Sequence, residues 1–257
     1  MLIDSHCHLN FLDSPNIALA AARMGGVGGF LCVGVDKDGI DDVCALAQDN
    51  MDVWASIGQH PNTTEKDLSW ISERIAKFES SSKVIALGEM GLDYSQCSDD
   101  REEQLRQISC FEYQLALAEN LKYPVIIHTR DAEEDTASIL ENFSSVRGVM
   151  HCFTESWALA EKALNLGYYI SMSGIVTFKN AGLVREVASR VPKDRLLVET
   201  DSPWLAPVPY RGKLNQPLFV TETAKFLANY LDWEMSDFEL KTEQNFFRLF
   251  TKAKAIP

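Results

Sequence analysis

Gly29-Phe-Leu-Cys-Val-Gly-Val35 carries no polar side chain at any position. A strand with one wet face alternates apolar and polar residues, so an unbroken run predicts a strand buried on both faces of a parallel sheet. Parallel neighbours need a crossover between them, and helical patterns flank this run on both sides. Upstream, Ser14-Pro15 reads as an N-cap followed by proline in the first turn, and Ile17, Ala18, Ala21 and Ala22 stripe a helix that stops at Gly25-Gly26. Downstream, Asp41 to Gln48 reads as a second helix. Ahead of both helices, Ile3-Asp-Ser-His-Cys-His8 is then the first strand.

The same alternation runs to the end of the chain. Val53–Ile57 precedes a helix over Glu65 to Phe78, and Val84–Leu87 precedes a long helix over Arg101 to Leu121, striped by Leu105, Ile108, Leu115 and Ala118. Val125–Ile127, Val146–Met150, Tyr168–Met172 and Leu196–Val198 each stand before a helical segment, the first three of which start near Ala132, Ser156 and Asn180. Ser236-Asp-Phe-Glu239 reads as a capping box opening a last helix through Phe246, Phe247 and Phe250. Eight strands alternating with helices in 257 residues fit one α/β domain over residues 1–257, a closed (β/α)₈ TIM barrel. The alternative, a doubly wound open sheet, is weakened because no dinucleotide or phosphate-loop glycine pattern follows the first strand.

Composition excludes several other classes. Apolar residues make up 46% and charged residues 24%, a globular balance with no low-complexity tract and no evident repeat. The longest uncharged run, Ala163 to Phe178, is 16 residues long and carries Asn165, Ser171, Ser173 and Thr177, so no membrane span is expected. Strand one starts at residue 2, which leaves no room for a secretory leader. The six cysteines form no Cys-x-x-Cys pair and are expected as reduced thiols, hence a cytoplasmic location. A net charge of −13 repels polyanions at long range, so a nucleic-acid substrate would have to be gripped locally. No obligate protein partner is implied.

His6 and His8 lie two apart on a strand, so they point the same way about 7 Å apart and could share a cation, while Cys7 points the other way. The chain has only five histidines, and all of them fall after or at the end of a strand. His60 follows strand three, His128 ends strand five and His151 ends strand six. Glu89 ends strand four and Asp201 ends strand eight. In a barrel the carboxyl ends of the strands form the catalytic face, so these groups converge. Imidazole with carboxylate suits zinc, manganese or iron, with magnesium also possible. Six candidate ligands exceed what one tetrahedral ion needs and suit two ions roughly 3.5–4 Å apart, bridged by a carboxylate and a hydroxide.

His6-Cys-His8, Gly88-Glu-Met-Gly-Leu-Asp-Tyr94, His128-Thr-Arg130, His151-Cys-Phe153, Glu199-Thr-Asp-Ser-Pro203 and Pro209-Tyr-Arg-Gly-Lys-Leu-Asn-Gln-Pro217 resemble the ordered motifs of the TatD family of metal-dependent hydrolases. These are TIM barrels of the amidohydrolase superfamily, and many are deoxyribonucleases. The family usually has Asn-Glu-Pro where this chain has Asn215-Gln216-Pro217, which removes one negative charge. The resemblance implies that His6, His8 and Asp201 hold one divalent ion, that His128 and His151 hold a second, and that Glu89 bridges them. Asp201 and Glu89 are the catalytic candidates. Asp201 is the acid–base candidate, since a carboxylate at the metal edge can take a proton from water and return it to the leaving oxygen.

Arg130, Arg211 and Lys213 are candidate phosphate grips, the last two on a loop, residues 202–214, that has no acidic residue. His60 is a candidate for substrate contact rather than a ligand. Asp93 could orient a metal-bound histidine, and Trp204 and Tyr210 could stack on a base. The expected activity is metal-dependent cleavage of phosphodiester bonds by a metal-bridged hydroxide, on single-stranded or frayed DNA ends, as an exonuclease. Two other readings are a carboxylic ester or amide hydrolase, such as an aminoacyl-ester deacylase, and a non-catalytic metal-containing interaction protein.

Overall fold

Eight strands pair in parallel in the order of the chain: β1 (Leu2–Cys7), β2 (Val27–Val33), β3 (Val53–Ile57), β4 (Val84–Asp93), β5 (Val125–Arg130), β6 (Gly148–Met150), β7 (Tyr169–Met172) and β8 (Leu196–Val198). The computed structural model describes residues 1–63, 65–78 and 81–253. Between the strands run α1 (Pro15–Met24), α2 (Ile40–Asp49), α3 (Ser69–Lys77), α4 (Arg101–Leu121), α5 (Glu133–Asn142), α6 (Trp157–Asn165) and α7 (Gly182–Arg190), with α8 (Val220–Tyr230) and α9 (Met235–Leu249) after β8. The chain is therefore a (β/α)₈ barrel.

Its interior is identified by one buried residue from each strand: Ile3, Leu31, Trp54, Ile85, Ile126, Val149, Tyr169 and Leu197 form one cluster. Eight strands can meet only on the barrel axis. Phe246 and Leu249 of α9 and Phe250 just after it join them, with Trp54 and Phe246 rings 5.3 Å apart, so the last helix seals that end. The outward faces of the strands, such as Phe30 and Cys32, pack under the helices with Val43 of α2 and Phe111 and Leu115 of α4 in a larger cluster. Each such fully buried large side chain contributes about 1.5–3 kcal/mol.

At the seam between the first and eighth strands, side chains and backbone groups beyond the strand end share the joining. Ser5 Oγ donates to Val198 O (2.9 Å), and the Asp4 carboxylate accepts from Thr200 N (2.8 Å) and Thr200 Oγ1 (2.6 Å). Above them Asp201 N donates to His6 O (3.0 Å) and His8 N to Ser202 O (2.8 Å). These bonds close the barrel and bring Asp201 to the two histidines of β1.

Several sequence expectations need correction. β4 and β5 continue to Asp93 and Arg130, so Glu89 and His128 lie within strands rather than at their ends. β4 stays paired because three of its steps, Leu87 to Met90, oppose two of β5, Val125 to Ile127, and this bulge contains Glu89. Gly91 (φ +146°) permits the close pairing that follows, since a Cβ there would lie 1.9 Å from His128 O. α3 starts at Ser69 rather than near Glu65, because the Glu65 and Asp67 side chains accept from Asp67 N and Ser69 N and compete with the helix. Ser14 precedes α1 but makes no side-chain capping bond.

α9 begins at Met235, so Ser236 lies inside it and no capping box forms. Instead Trp233 packs on Phe238 (5.5 Å between rings), a hydrophobic staple across the helix start. The apolar stripe expected on α4 holds at Leu115 and Ala118, with Ile108 partly buried, and fails at its first member. Leu105 is exposed, and the buried residues are Gln107, Cys110, Phe111, Gln114, Leu115 and Ala118.

Candidate active site

Glu89 is buried, and its two oxygens face different partners. Oε2 lies 3.4 Å from His6 Nε2 and 3.8 Å from His8 Nε2, while Oε1 lies 2.7 Å from His151 Nε2, 3.0 Å from His128 Nδ1 and 3.5 Å from His60 Nε2. On the first side His6 Nε2 and His8 Nε2 stand 3.1 Å apart, and Asp201 Oδ1 is 3.7 Å from the former and 3.4 Å from the latter. On the second side His128 Nδ1 and His151 Nε2 are 3.3 Å apart. Ligand atoms around one tetrahedral ion with bonds of about 2.0–2.1 Å stand about 3.3–3.4 Å apart, so both sets have the spacing of a cation cage.

The outer ring nitrogens fix which way the lone pairs point. His8 Nδ1 meets Val33 O (3.0 Å), His151 Nδ1 meets Glu199 Oε1 (3.1 Å) and His128 Nε2 meets Asp93 Oδ2 (3.2 Å). Each imidazole can donate its outer N–H to that oxygen, which leaves the inner nitrogen as an electron-pair donor. The oxygens are themselves anchored. Glu199 Oε1 also accepts from Cys152 N (2.8 Å), and Asp93 accepts from Ser95 N (3.0 Å), Ser95 Oγ (2.6 Å) and Asn62 Nδ2 (3.2 Å). Asp201 holds a left-handed backbone (φ 58°), which aspartate tolerates better than most residues. A divalent cation fits this donor chemistry.

The electrostatics are those of buried anions among imidazoles. Burial alone would drive the Glu89 carboxyl upward, but His151, His60 and His128 around it win and hold it well below the usual carboxylate range. Asp201 is likewise held down, burial being outweighed by His8, His6 and His151. Glu89 and Glu199 flank His151 and raise its pKa despite burial. His60 has no such flanking pair, so burial and the neighbouring histidines depress it to about 4. Its imidazole is neutral near pH 7.

A cleft of about 680 Å³ opens over the cluster, lined on apolar stretches by Phe11, Val35, Ile175, Trp204 and Leu205 and on polar ones by Asn62, Thr63, Arg130 and Thr154. Phe11 and Trp204 are about half exposed, with ring centroids 5.5 Å apart. Arg130 is exposed at this cleft, and among the described residues no carboxylate pairs with it.

The structure thus brings His6, His8, Glu89, His128, His151 and Asp201 together, and it adds His60, whose Nε2 faces the same Glu89 oxygen as His128 and His151. Arg211 and Lys213 do not line the cleft. The Arg211 guanidinium sits 4.4 Å over the Phe178 ring, Lys213 Nζ is 5.8 Å from the Tyr210 ring, and Tyr210 stacks on Phe219 (3.9 Å, 3°). These residues pack their own loop instead. Gln216 does not line the cleft either. Sequence reasoning gave no role to Glu199, although its place two residues before Asp201 at a strand end was a usable signal. Nothing in the sequence pointed to Asn62.

A (β/α)₈ barrel with two imidazole–carboxylate sets sharing one glutamate defines a metal-dependent hydrolase with an amidohydrolase-like fold. The family model described as TatD related DNase matches residues 3–251. The uncharacterized metal-dependent hydrolase YcfH of Escherichia coli K12 is 42% identical over 97% of this chain and 95% of its own. The corresponding Bacillus subtilis protein YabD is 39% identical over 97% of this chain and 99% of its own. Among solved structures, YJJV, a TatD homologue from Escherichia coli, superposes with a TM-score of 0.89 at 28% identity, covering 100% of this chain and 98% of that one. The chain belongs to the TatD family. No helix among the described residues is long and apolar enough to cross a membrane.

Proposed function

We propose that this metal-dependent hydrolase is a deoxyribonuclease that removes nucleotides from single-stranded or frayed DNA ends, using two divalent ions drawn from zinc, manganese and magnesium. The observation that carries this reading is the placement of Arg130, an exposed guanidinium without a carboxylate partner, in the same cleft as the ligand sets and the open rings of Phe11 and Trp204. A guanidinium suits a phosphate, and open aromatic faces suit bases. The DNase description of the matching family model supports the same substrate. The six free cysteines fit work in a reducing cytoplasm, with no obligate protein partner.

His6, His8 and Asp201 would hold one ion, His128 and His151 the other, and Glu89 both. Bound divalent ions supply Lewis acidity and make water at the site more acidic. Asp201, ionised and partly open to the cleft, takes a proton from water and returns it to the leaving oxygen. Arg130 neutralises a non-bridging phosphate oxygen and sets the register of the strand. Neutral His60 faces the cleft and contacts substrate as a hydrogen-bonding group.

A substrate panel tests this: single-stranded oligonucleotides, blunt and frayed duplexes, aminoacyl esters and simple carboxylic esters. Stepwise release of mononucleotides, fastest from single strands, is expected. Faster turnover of carboxylic esters with no phosphodiester cleavage would transfer the protein to the ester-hydrolase reading. Arg130→Ala should raise KM for an oligonucleotide about tenfold with little loss of kcat, while Arg211→Ala leaves KM within about twofold.

A further inference from the structure

We infer that Gln107 of α4 is a positioning residue that sets the second ligand group and leaves the first untouched, and that Gln114 on the same helix positions the adjoining His60. This rests on the two-ion reading above. Gln107 Oε1 accepts from Asp93 N (2.9 Å) and its Nε2 donates to Asp93 O (3.0 Å). Gln114 Oε1 accepts from Gln59 N (2.9 Å) and its Nε2 donates to Gln59 O (3.0 Å). Both glutamines, and both residues they hold, are buried. A carboxamide carries a donor and an acceptor spaced like a peptide group, so each glutamine replaces a missing neighbouring strand for one residue. Seven residues are close to two helical turns, so the two amides lie on the same face of α4 and reach the ends of β4 and β3 in turn.

The residues they clasp control the second group and the adjoining His60. Asp93 holds His128 through Nε2, and Gln59 precedes His60 in the chain. Arg106, next to Gln107, donates to Pro61 O (2.6 Å) just after His60 and is braced by Glu103 (2.6 Å). Gln107 Nε2 also lies 3.4 Å from Glu103 Oε1, a bond within its own helix. His6, His8 and Asp201 owe their places to the seam of β1 with the segment after β8, which α4 does not touch through any of these bonds. The two halves of the metal site are therefore anchored by separate parts of the fold.

The test pairs wild type with Gln107→Met and Gln114→Met, which keep side-chain length and lose both hydrogen bonds. In metal-free protein, hydrogen exchange at the Asp93 amide should quicken about fivefold or more in Gln107→Met, and at the Gln59 amide in Gln114→Met. In calorimetric titration with Zn²⁺, Gln107→Met should weaken one of two binding steps about 10–100-fold and leave the other within about twofold. A merely structural role would lower the melting temperature without separating the two steps. Unchanged Asp93 exchange, two steps weakened alike, or two steps unaffected would each overturn the inference. If Gln107→Met does not fold, Gln107→Glu retains the acceptor, loses the donor and should show the same selective loss of one step. A wild type that takes up one ion only would overturn the two-ion reading and this inference with it. That outcome is told apart from failure of the clasp, since the metal-free exchange would still respond to Gln107→Met.

Discussion

Asp201 has two tasks, holding a cation beside His6 and His8 and moving a proton, and one substitution separates them. Asparagine keeps the shape and one coordinating oxygen but accepts no proton near neutral pH. Asp201→Asn is expected to lose about 10²–10⁴-fold in kcat with its metal content unchanged. A loss below about tenfold with both ions in place would leave Asp201 an orienting ligand only. Glu155 tests the charge balance at the rim of the site. Its Oε1 accepts from Asp131 N (3.2 Å), but burial, reinforced by Glu133, pushes its carboxyl up to about 7. The folded chain thus binds this proton more tightly than the unfolded chain, so its contribution to stability is full below the ordinary carboxylate range and is lost as pH rises through about 7. Glu155→Gln should gain stability relative to wild type between about pH 5 and about pH 7.5. Melting curves that stay parallel across that window would sink the assignment.

Helix ends show how local rules and packing divide the work. Asp100 caps α4, its side chain accepting from Glu103 N at 3.0 Å, whereas Ser14 before α1 makes no such bond. Asp100→Ala should therefore cost about 0.5–2 kcal/mol in urea denaturation, and Ser14→Ala less than about 0.5 kcal/mol. Equal effects would mean the caps are not what distinguishes these helix starts. α4 also shows why an apolar stripe misleads. Its inward face carries two glutamines whose amides serve strand ends beside Leu115 and Ala118, so hydropathy counts part of that face as wet and admits the exposed Leu105 to the stripe. At α9 the start is set by the contact of Trp233 with Phe238, and a polar pattern two residues off mimics a capping box.

At the scale of the molecule, closing the barrel and building the first ligand group are one event. Asp4 takes two hydrogen bonds from Thr200 at the seam, two residues from His6 on one side and one residue from Asp201 on the other. Asp4→Ala leaves both Thr200 donors buried and unpaired, at a cost of about 2–4 kcal/mol. Chemical denaturation measures this, and a cost under about 1 kcal/mol would show that the seam is held elsewhere.

The barrel was legible because hydrophobic period and chain length are local quantities, and eight apolar runs alternating with helical patterns leave few ways to close. The convergence of His6, His8, Glu89, His128, His151 and Asp201 was legible too, since strand ends on a barrel share one rim. Tertiary structure alone decided the division of Glu89's two oxygens, the bulge that holds it within β4, and the approach of His60 to Oε1. It also decided that Arg130 faces the cleft while Arg211 packs on Phe178. The roles of Glu199, Gln107 and Gln114 belong with these, because a hydrogen bond depends on positions to within a few tenths of an ångström. Residues 14, 48 or 55 apart reach that separation only once the whole barrel has closed.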